Sequence, residues 1–189
     1  MTKAILFDCF GVIYVGVRSY ALSICPEENR QELDDLFVQA DYGFVSGVEF
    51  NARAATLMNL TEQQFIELCQ GRYHKDPAVI DLIRKLKPNY KVSLLTNANN
   101  TIIDQLFSSE EQAELFDDVL VSSRVGMIKP QAEFFELAAS RLDCLPEECA
   151  MVDDLIDNIA GAMTAGMSGV VFRSASQCQR DLEGLGIYA

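Results

Sequence analysis

A chain of 189 residues, 49% of them apolar, can fill one good core, or a core with a small accessory unit. With 15 basic against 28 acidic side chains and a formal charge of −13, it lacks the basic face that nucleic acid or an anionic membrane would need, and an anionic substrate must be met by local cations. No stretch approaches the roughly 18–20 apolar residues of a membrane span, and Met1 runs directly into a strand-like segment without signal-peptide architecture, so the expected location is cytoplasmic.

From Lys3 to Asp8 the pattern is a buried strand with Asp8 at its tip, and Gly11 follows where the chain must turn tightly. Between Tyr14 and Leu86 strand-like runs disappear. Apolar residues recur there at helical spacing, as in Leu33, Leu36, Phe37 and Ala40 and again in Phe65, Ile66 and Cys69. Pro26, the Gly43 to Gly47 turn, Asn59 with Thr61, and Asp76 with Pro77 divide the segment into four or five helices. The expected organisation is therefore a core of residues 1–14 and 87–189 interrupted by a helical insertion over 15–86.

Beyond the insertion the chain alternates regularly. Strands are predicted over Lys91 to Thr96, Val119 to Ser122, Ala150 to Asp153 and Gly169 to Phe172. Helices are predicted over Thr101 to Leu115, Pro130 to Leu142 and Ile156 to Ala165, the last closed by Gly166. Such alternation predicts an α/β fold with a doubly wound parallel sheet and right-handed crossovers. The tail from Ser174 to Ala189 has mixed polarity, with room for a short helix.

Six cysteines show neither a CxxC pair nor ligand-like spacing with His74, the only histidine. Cys9 adjoins Asp8, but a thiol nucleophile needs a base beside it, so the expectation is a buried, inert thiol.

Four short segments carry candidate chemistry: Asp8 in ILFDCFGV, Thr96 in SLLTNAN, Lys129 in VGMIKP, and Asp153 with Asp154 in MVDDLIDN. Each alone has an ordinary reading as a turn, cap or solvated residue. Three of them end buried strand-like runs, however, and Lys129 precedes Pro130, a residue suited to start a helix. Open α/β sheets bind ligands at those strand ends. Were the three carboxylates gathered there, their repulsion would raise at least one pKa unless a divalent cation neutralised them, and an all-oxygen ligand set favours Mg²⁺.

Together, FDCFGVI, LLTN, VGMIKP with AEFFELAA, and VDDLIDNIAGA followed by GMSGVVF resemble the four ordered motifs of the haloacid dehalogenase-like hydrolases, over nearly the whole chain. The resemblance implies a Rossmann-like core with the motif strands adjacent and residues 15–86 as a small helical cap over the site. It also implies a phosphatase of small phosphorylated metabolites, sugar phosphates first among them, working through an aspartyl-phosphate. On that resemblance Asp8 is nucleophile and metal ligand. The Phe10 carbonyl, Asp154 and Asp153, the last directly or through water, complete the Mg²⁺ set. Thr96 and Lys129 stabilise the transferring phosphoryl group, with Gly11 and Phe10 amides as part of its cradle. Asn97 either steadies that pocket or serves as a turn residue, and Asn158 either braces the acidic loop or caps a helix.

The family's phosphatases carry a second Asp two residues after the nucleophile, as acid and then base, whereas this chain has Phe10. Its 2-haloacid dehalogenases place an aromatic residue there, use no metal and lack the acid pair that Asp153 and Asp154 form. Two alternatives therefore stand beside the phosphatase: a catalytically weak or silent binding protein, and a metal-independent dehalogenase. Arg18, Tyr20, Tyr42, Arg53, Arg72, His74 and Lys75 are the insertion's polar candidates for substrate contact.

Overall fold

The computed structural model describes residues 1–99 and 101–189. Its centre is a five-stranded sheet, all parallel, in the order β3-β2-β1-β4-β5. The strands are β1 (Ala4–Phe7), β2 (Lys91–Thr96), β3 (Asp118–Val121), β4 (Cys149–Asp153) and β5 (Ser168–Val171). Successive side chains point to opposite faces, and both faces are buried, which is why these strands read as continuous apolar runs.

On one face Ile5, Phe7, Leu94 and Val152 meet α5 (Pro77–Leu86), α6 (Ile102–Leu106), α7 (Ser109–Leu115) and α11 (Ala175–Gly184), through Val79, Ile83, Phe107, Leu115 and Leu182. On the other, Ala4, Leu6, Leu95 and Met151 meet α9 (Ala132–Arg141) and α10 (Ile156–Thr164), through Phe134, Phe135, Ala138, Ile159 and Ala162. This is the doubly wound α/β sandwich expected from the alternation. Among the described residues no helix is long and apolar enough to cross a membrane.

The insertion comprises α1 (Arg18–Ile24), α2 (Arg30–Asp41), α3 (Gly47–Leu57) and α4 (Glu62–Gln70), around their own cluster of Leu33, Leu36, Phe50, Ala54 and Phe65. Ser46 caps α3 by accepting from the Glu49 amide, and Thr61 with Gln64 forms a capping box on α4. The two connections to the core run side by side: the Asp76 amide donates to the Ile13 carbonyl at 2.8 Å and the Val15 amide to that of His74 at 3.2 Å.

Three expectations need correction. Helix α5, expected inside the insertion, packs on the sheet, because Val79, Leu82, Ile83 and Leu86 form a stripe that belongs to the sheet's cluster. The helix expected over Thr101 to Leu115 is broken at Phe107 and Ser108, where a capping box between Ser108 and Glu111 starts a new helix. Pro130 does not open a helix: α9 begins at Ala132 with Gln131 as its N-cap residue, and α8 (Ser122–Val125) precedes the Lys129 loop. The short helix for which the tail has room is present as α11, which buries Cys178 and Leu182 beside α5, and Ile187 beyond it joins the same cluster.

One helix face is cut to fit the Lys129 loop. A Cβ on Gly161 of α10 would stand 2.3 Å from the Pro130 carbonyl oxygen, so only glycine lets this helix lie against that loop. Gly161→Ala is expected to destabilise the chain by about 1–3 kcal/mol through overpacking, read as a lower urea midpoint at unchanged m-value.

Candidate active site

The register of β1 decides where the motifs meet. Phe7 pairs with Leu94 of β2 and with Val152 of β4, so Asp8, Thr96 and Asp153 leave neighbouring strands at one edge of the sheet. The Asp8 amide continues the ladder by donating to the Val152 carbonyl at 2.9 Å. Carboxylate oxygens of Asp8, Asp153 and Asp154 all lie within 4.8 Å of one another.

Lys129 reaches into this group from the loop before α9. Its backbone is clamped by Asn97, whose Oδ1 accepts from the Lys129 amide at 2.9 Å and whose Nδ2 donates to the Lys129 carbonyl at 3.0 Å. The ammonium donates to Asp8 Oδ1 at 2.7 Å, to Asp153 Oδ2 at 2.6 Å and to the Leu95 carbonyl at 3.1 Å. Three acceptors exhaust its three protons. Lys129 thus ties the ends of β1, β2 and β4 together and acts on anything else in the cleft as a fixed charge.

The two acids of the last motif have different surroundings. Asp153 is fully buried, and its oxygens accept from the Leu155 amide at 2.9 Å, from Asn158 Nδ2 at 3.0 Å on each oxygen, and from Lys129. Its lone pairs are spent on the protein. Asp154, by contrast, leaves Oδ1 buried without a partner, and so does the Thr96 hydroxyl. Buried polar atoms are normally hydrogen-bonded, so these two mark where a ligand is wanted. Gly11, at φ +92°, makes room: a Cβ there would lie 2.3 Å from Asp154 Oδ2.

Electrostatics agree. Burial pushes the Asp8 carboxyl up to about 7, with the Asp153 charge adding to the rise and Lys129 opposing it. Burial and the neighbouring Asp153 also raise Asp154. Burial disfavours the Lys129 ammonium, yet Asp8 and Asp153 together carry its pKa above the ordinary lysine value, so it stays charged. A divalent cation would relieve both strained carboxyls, and the donor set, carboxylates without nitrogen or sulfur, suits Mg²⁺. Asp8 and Asp154 have oxygens to offer; Asp153 is better placed to hold the others. Cys9 is buried and its thiol is raised well above its ordinary value, which leaves it inert as expected.

A cleft of about 330 Å³ opens over the cluster, lined by Asp8, Phe10, Gly11, Asn97, Lys129, Asp154 and Asn158 from the core. From the insertion come Arg18, Ser19, Phe37, Asp41 and Phe50. Of the insertion's seven polar candidates only Arg18 lines it. Tyr20 is stacked under Arg72 at 3.5 Å, Arg53 faces Glu49 at 3.5 Å and Lys75 is ion-paired with Glu111. Tyr42 faces Gln131 at 3.3 Å, and His74 is exposed. Asp41 was missed. Its signal is faint: it stands four residues after Phe37, on the face that α2 turns to the cleft.

Comparison with known proteins places these motifs in context. A family model described as a haloacid dehalogenase-like hydrolase matches residues 2–166. The sesquiterpene phosphatase astK of Aspergillus oryzae is 28% identical over 89% of this chain and 88% of its own length. The D-ribitol-5-phosphate phosphatase of Bacteroides thetaiotaomicron is 27% identical over 84% of this chain and 86% of its own. Among solved structures, a HAD family enzyme of Bacteroides thetaiotaomicron, in complex with magnesium and inorganic phosphate, superposes with a TM-score of 0.75 at 21% identity, covering 92% of this chain and 95% of that one.

Two outcomes follow from the charge arrangement. Lys129→Met is expected to cost about 3–5 kcal/mol, because it strands buried carboxylates, and a second change, Asp153→Asn, to recover part of that in chemical denaturation. Magnesium is expected to raise the melting temperature, and by more at roughly pH 7.5 than at pH 5.5. Asp8, held at about 7, must release its proton before it can ligate, so binding strengthens as pH rises. Thermal melts with and without the ion at both pH values check the sign.

Proposed function

Since the chain belongs to the haloacid dehalogenase-like hydrolases, we propose that it is a Mg²⁺-dependent phosphatase of small phosphorylated metabolites that works through an aspartyl-phosphate on Asp8. The observation that carries this reading is the meeting of Asp8, Asp153 and Asp154 within 4.8 Å beside a lysine bound to two of them. Asp8, Asp154 and the Phe10 carbonyl would hold the ion, while Asp153, whose oxygens are taken by Lys129, Asn158 and the Leu155 amide, would steady the site rather than ligate. Bound there, Mg²⁺ supplies positive charge to the transferring phosphoryl oxygens and keeps Asp8 ionised.

The chain's own residues account for the rest. Asp8 attacks phosphorus, and its other oxygen stays on the Lys129 ammonium, which fixes the direction of approach. The unpartnered Thr96 hydroxyl is free to donate to a phosphoryl oxygen. Lys129 stabilises the same charge electrostatically, and Asn97, spent on the Lys129 backbone, acts by positioning it. The cap formed by the insertion excludes water from the intermediate. Its cleft offers Arg18, Ser19 and Asn99 to hydroxyl groups and the Phe10 and Tyr73 rings to C–H faces, a lining that suits a sugar phosphate.

Phe10 gives the silent reading its one specific support, since phenylalanine transfers no proton. The dehalogenase reading is disfavoured by the carboxylate cluster, which repels a haloacid carboxylate. The test is phosphate release from para-nitrophenyl phosphate, expected to need Mg²⁺ and to fall by at least roughly 10³-fold in Asp8→Asn. Tight binding of Mg²⁺ and phosphate analogues with no phosphate released from any of a broad metabolite panel would establish the silent protein. Chloride released from 2-chloropropionate without metal would establish the dehalogenase.

A further inference from the structure

The cleft contains a carboxyl group that neither the ion cluster nor the phosphoryl cradle uses. Asp41 ends α2 and lines the same cavity as Asp8, Lys129 and Asp154. Its side chain is 18% exposed. The nearest cation, Arg18 on α1, is committed elsewhere: its Nε and Nη2 hold Asp34 at 2.9 and 2.8 Å, and only Nη1 approaches Asp41, at 3.7 Å. Among the described residues no hydrogen bond donor serves the Asp41 carboxylate.

The nearest charged side chains on α3 and α8, which pack against α2, have partners of their own. Glu49 and Arg53 of α3 face each other at 3.5 Å, and Arg124 of α8 pairs with Asp104 at 2.9 Å. Burial therefore decides the outcome. It pushes the Asp41 carboxyl up to about 6, against the lowering pull of Arg18 and Lys129 and with a small rise from Asp34, so both protonation states are accessible near neutral pH.

Asp41 is also placed by the core. Ser122, at the end of β3, donates its hydroxyl to the Asp41 carbonyl while accepting from the Ala98 amide beyond β2 at 3.0 Å. The Tyr42 hydroxyl accepts from Gln131 Nε2 at 3.3 Å, two residues past Lys129. Asp41 is thus tied to the loops that follow β2 and β3 and to the loop that carries the site's lysine. Phe10, meanwhile, turns its ring to Tyr73, with centroids 5.8 Å apart, and has no proton to give.

We propose that Asp41, from the insertion, is the general acid and base of the phosphatase reaction, an assignment that rests on the reading above. As Asp8 forms its bond to phosphorus, the bond from phosphorus to the leaving oxygen breaks, and that oxygen keeps the electron pair and takes the proton from Asp41. Water then attacks the aspartyl-phosphate and gives a proton to the Asp41 carboxylate. The bond between phosphorus and the Asp8 oxygen breaks, its electrons return to Asp8, and phosphate departs with Asp41 protonated again.

The experiment compares the native chain with Asp41→Asn on an alkyl phosphate such as glycerol phosphate and on para-nitrophenyl phosphate. On the alkyl ester the variant is expected to lose about 10²- to 10⁴-fold in kcat, together with the native decline in kcat/KM as pH rises through about 6. On the aryl ester, whose leaving group needs no proton, the variant should show a burst of nitrophenolate and accumulate phosphorylated protein by mass spectrometry, because the attacking water has lost its base. Phe10→Asp added to Asp41→Asn should restore alkyl ester turnover. If Asp41→Asn unfolds the chain, Asp41→Ser is measured in the same way. Unchanged leaving-group preference and pH profile in a folded variant, with no phosphoprotein, would overturn the assignment while leaving the phosphatase standing. A native chain that releases no phosphate from either ester would overturn both.

Discussion

Three carboxylates and one ammonium share the carboxyl edge of this sheet, and their formal sum leaves two negative charges without a partner in a buried place. That imbalance governs the region, because unpaired charge in a low-dielectric setting costs several kcal/mol per ion. The chain has two ways to settle it. One is to keep a proton, which the rise of Asp8 to about 7 expresses. The other is to admit a doubly charged cation, which would restore neutrality and leave Asp8 ionised, as the proposed nucleophilic role needs. The Lys129 ammonium is the fixed point of both, since it joins the ends of β1, β2 and β4 through Asp8, the Leu95 carbonyl and Asp153. Packing of the sheet brings the acids together, and this one lysine makes the gathering tolerable.

Satisfied and unsatisfied atoms divide the labour within the site. Asp153 accepts bonds on both oxygens from Lys129, Asn158 and the Leu155 amide, so moving it would break four contacts; it serves as a strut. Asp154 and Thr96 keep buried oxygens idle. An idle buried acceptor and an idle buried hydroxyl at the same edge of the sheet, with a lysine charge between strands, suit an anion and its counter-ion. Their cost in stability is borne by the well-filled layers on the two sheet faces, where Phe134, Phe135, Phe107 and Leu86 are all but inaccessible to solvent.

How much of this was legible in the sequence depended on whether the signal was local. Strand β2 and its terminal Thr96 fell where the apolar run ended, and the tips of β1 and β4 put Asp8 and Asp153 in place, because buried parallel strands announce themselves by unbroken apolar residues. Helix α5 reads from the sequence as part of the insertion because its periodicity is the same whichever core it joins; only tertiary packing on Ile5 and Phe7 places it with the sheet. Pro130 suggests a helix start after Lys129, while the chain uses Gln131 as the N-cap residue of α9. Asn97 reads equally as a pocket residue or a turn residue; it lines the cleft and also clamps the Lys129 backbone, a contact fixed by a loop thirty-two residues away. Asp41 carried the least local signal of all, one acid at the end of an amphipathic helix, and its relevance exists only once α2 lies over the strand ends.

The position of that acid gives the insertion a chemical role beyond shelter. An acid two residues after the nucleophile would travel with Asp8 and would be present wherever the helices lay. Phe10 instead supplies a ring face against Tyr73, and the proton-transfer group comes from α2, which is joined to the catalytic loops by hydrogen bonds through Ser122 and Gln131 rather than by adjacent chain. Attack of water on the intermediate then requires α2 to be seated on the core, so the base and the cavity that holds the leaving group arrive together. On the proposed assignment, a leaving group that fills the cleft lies beside Asp41, whose backbone Ser122 holds against the strand ends.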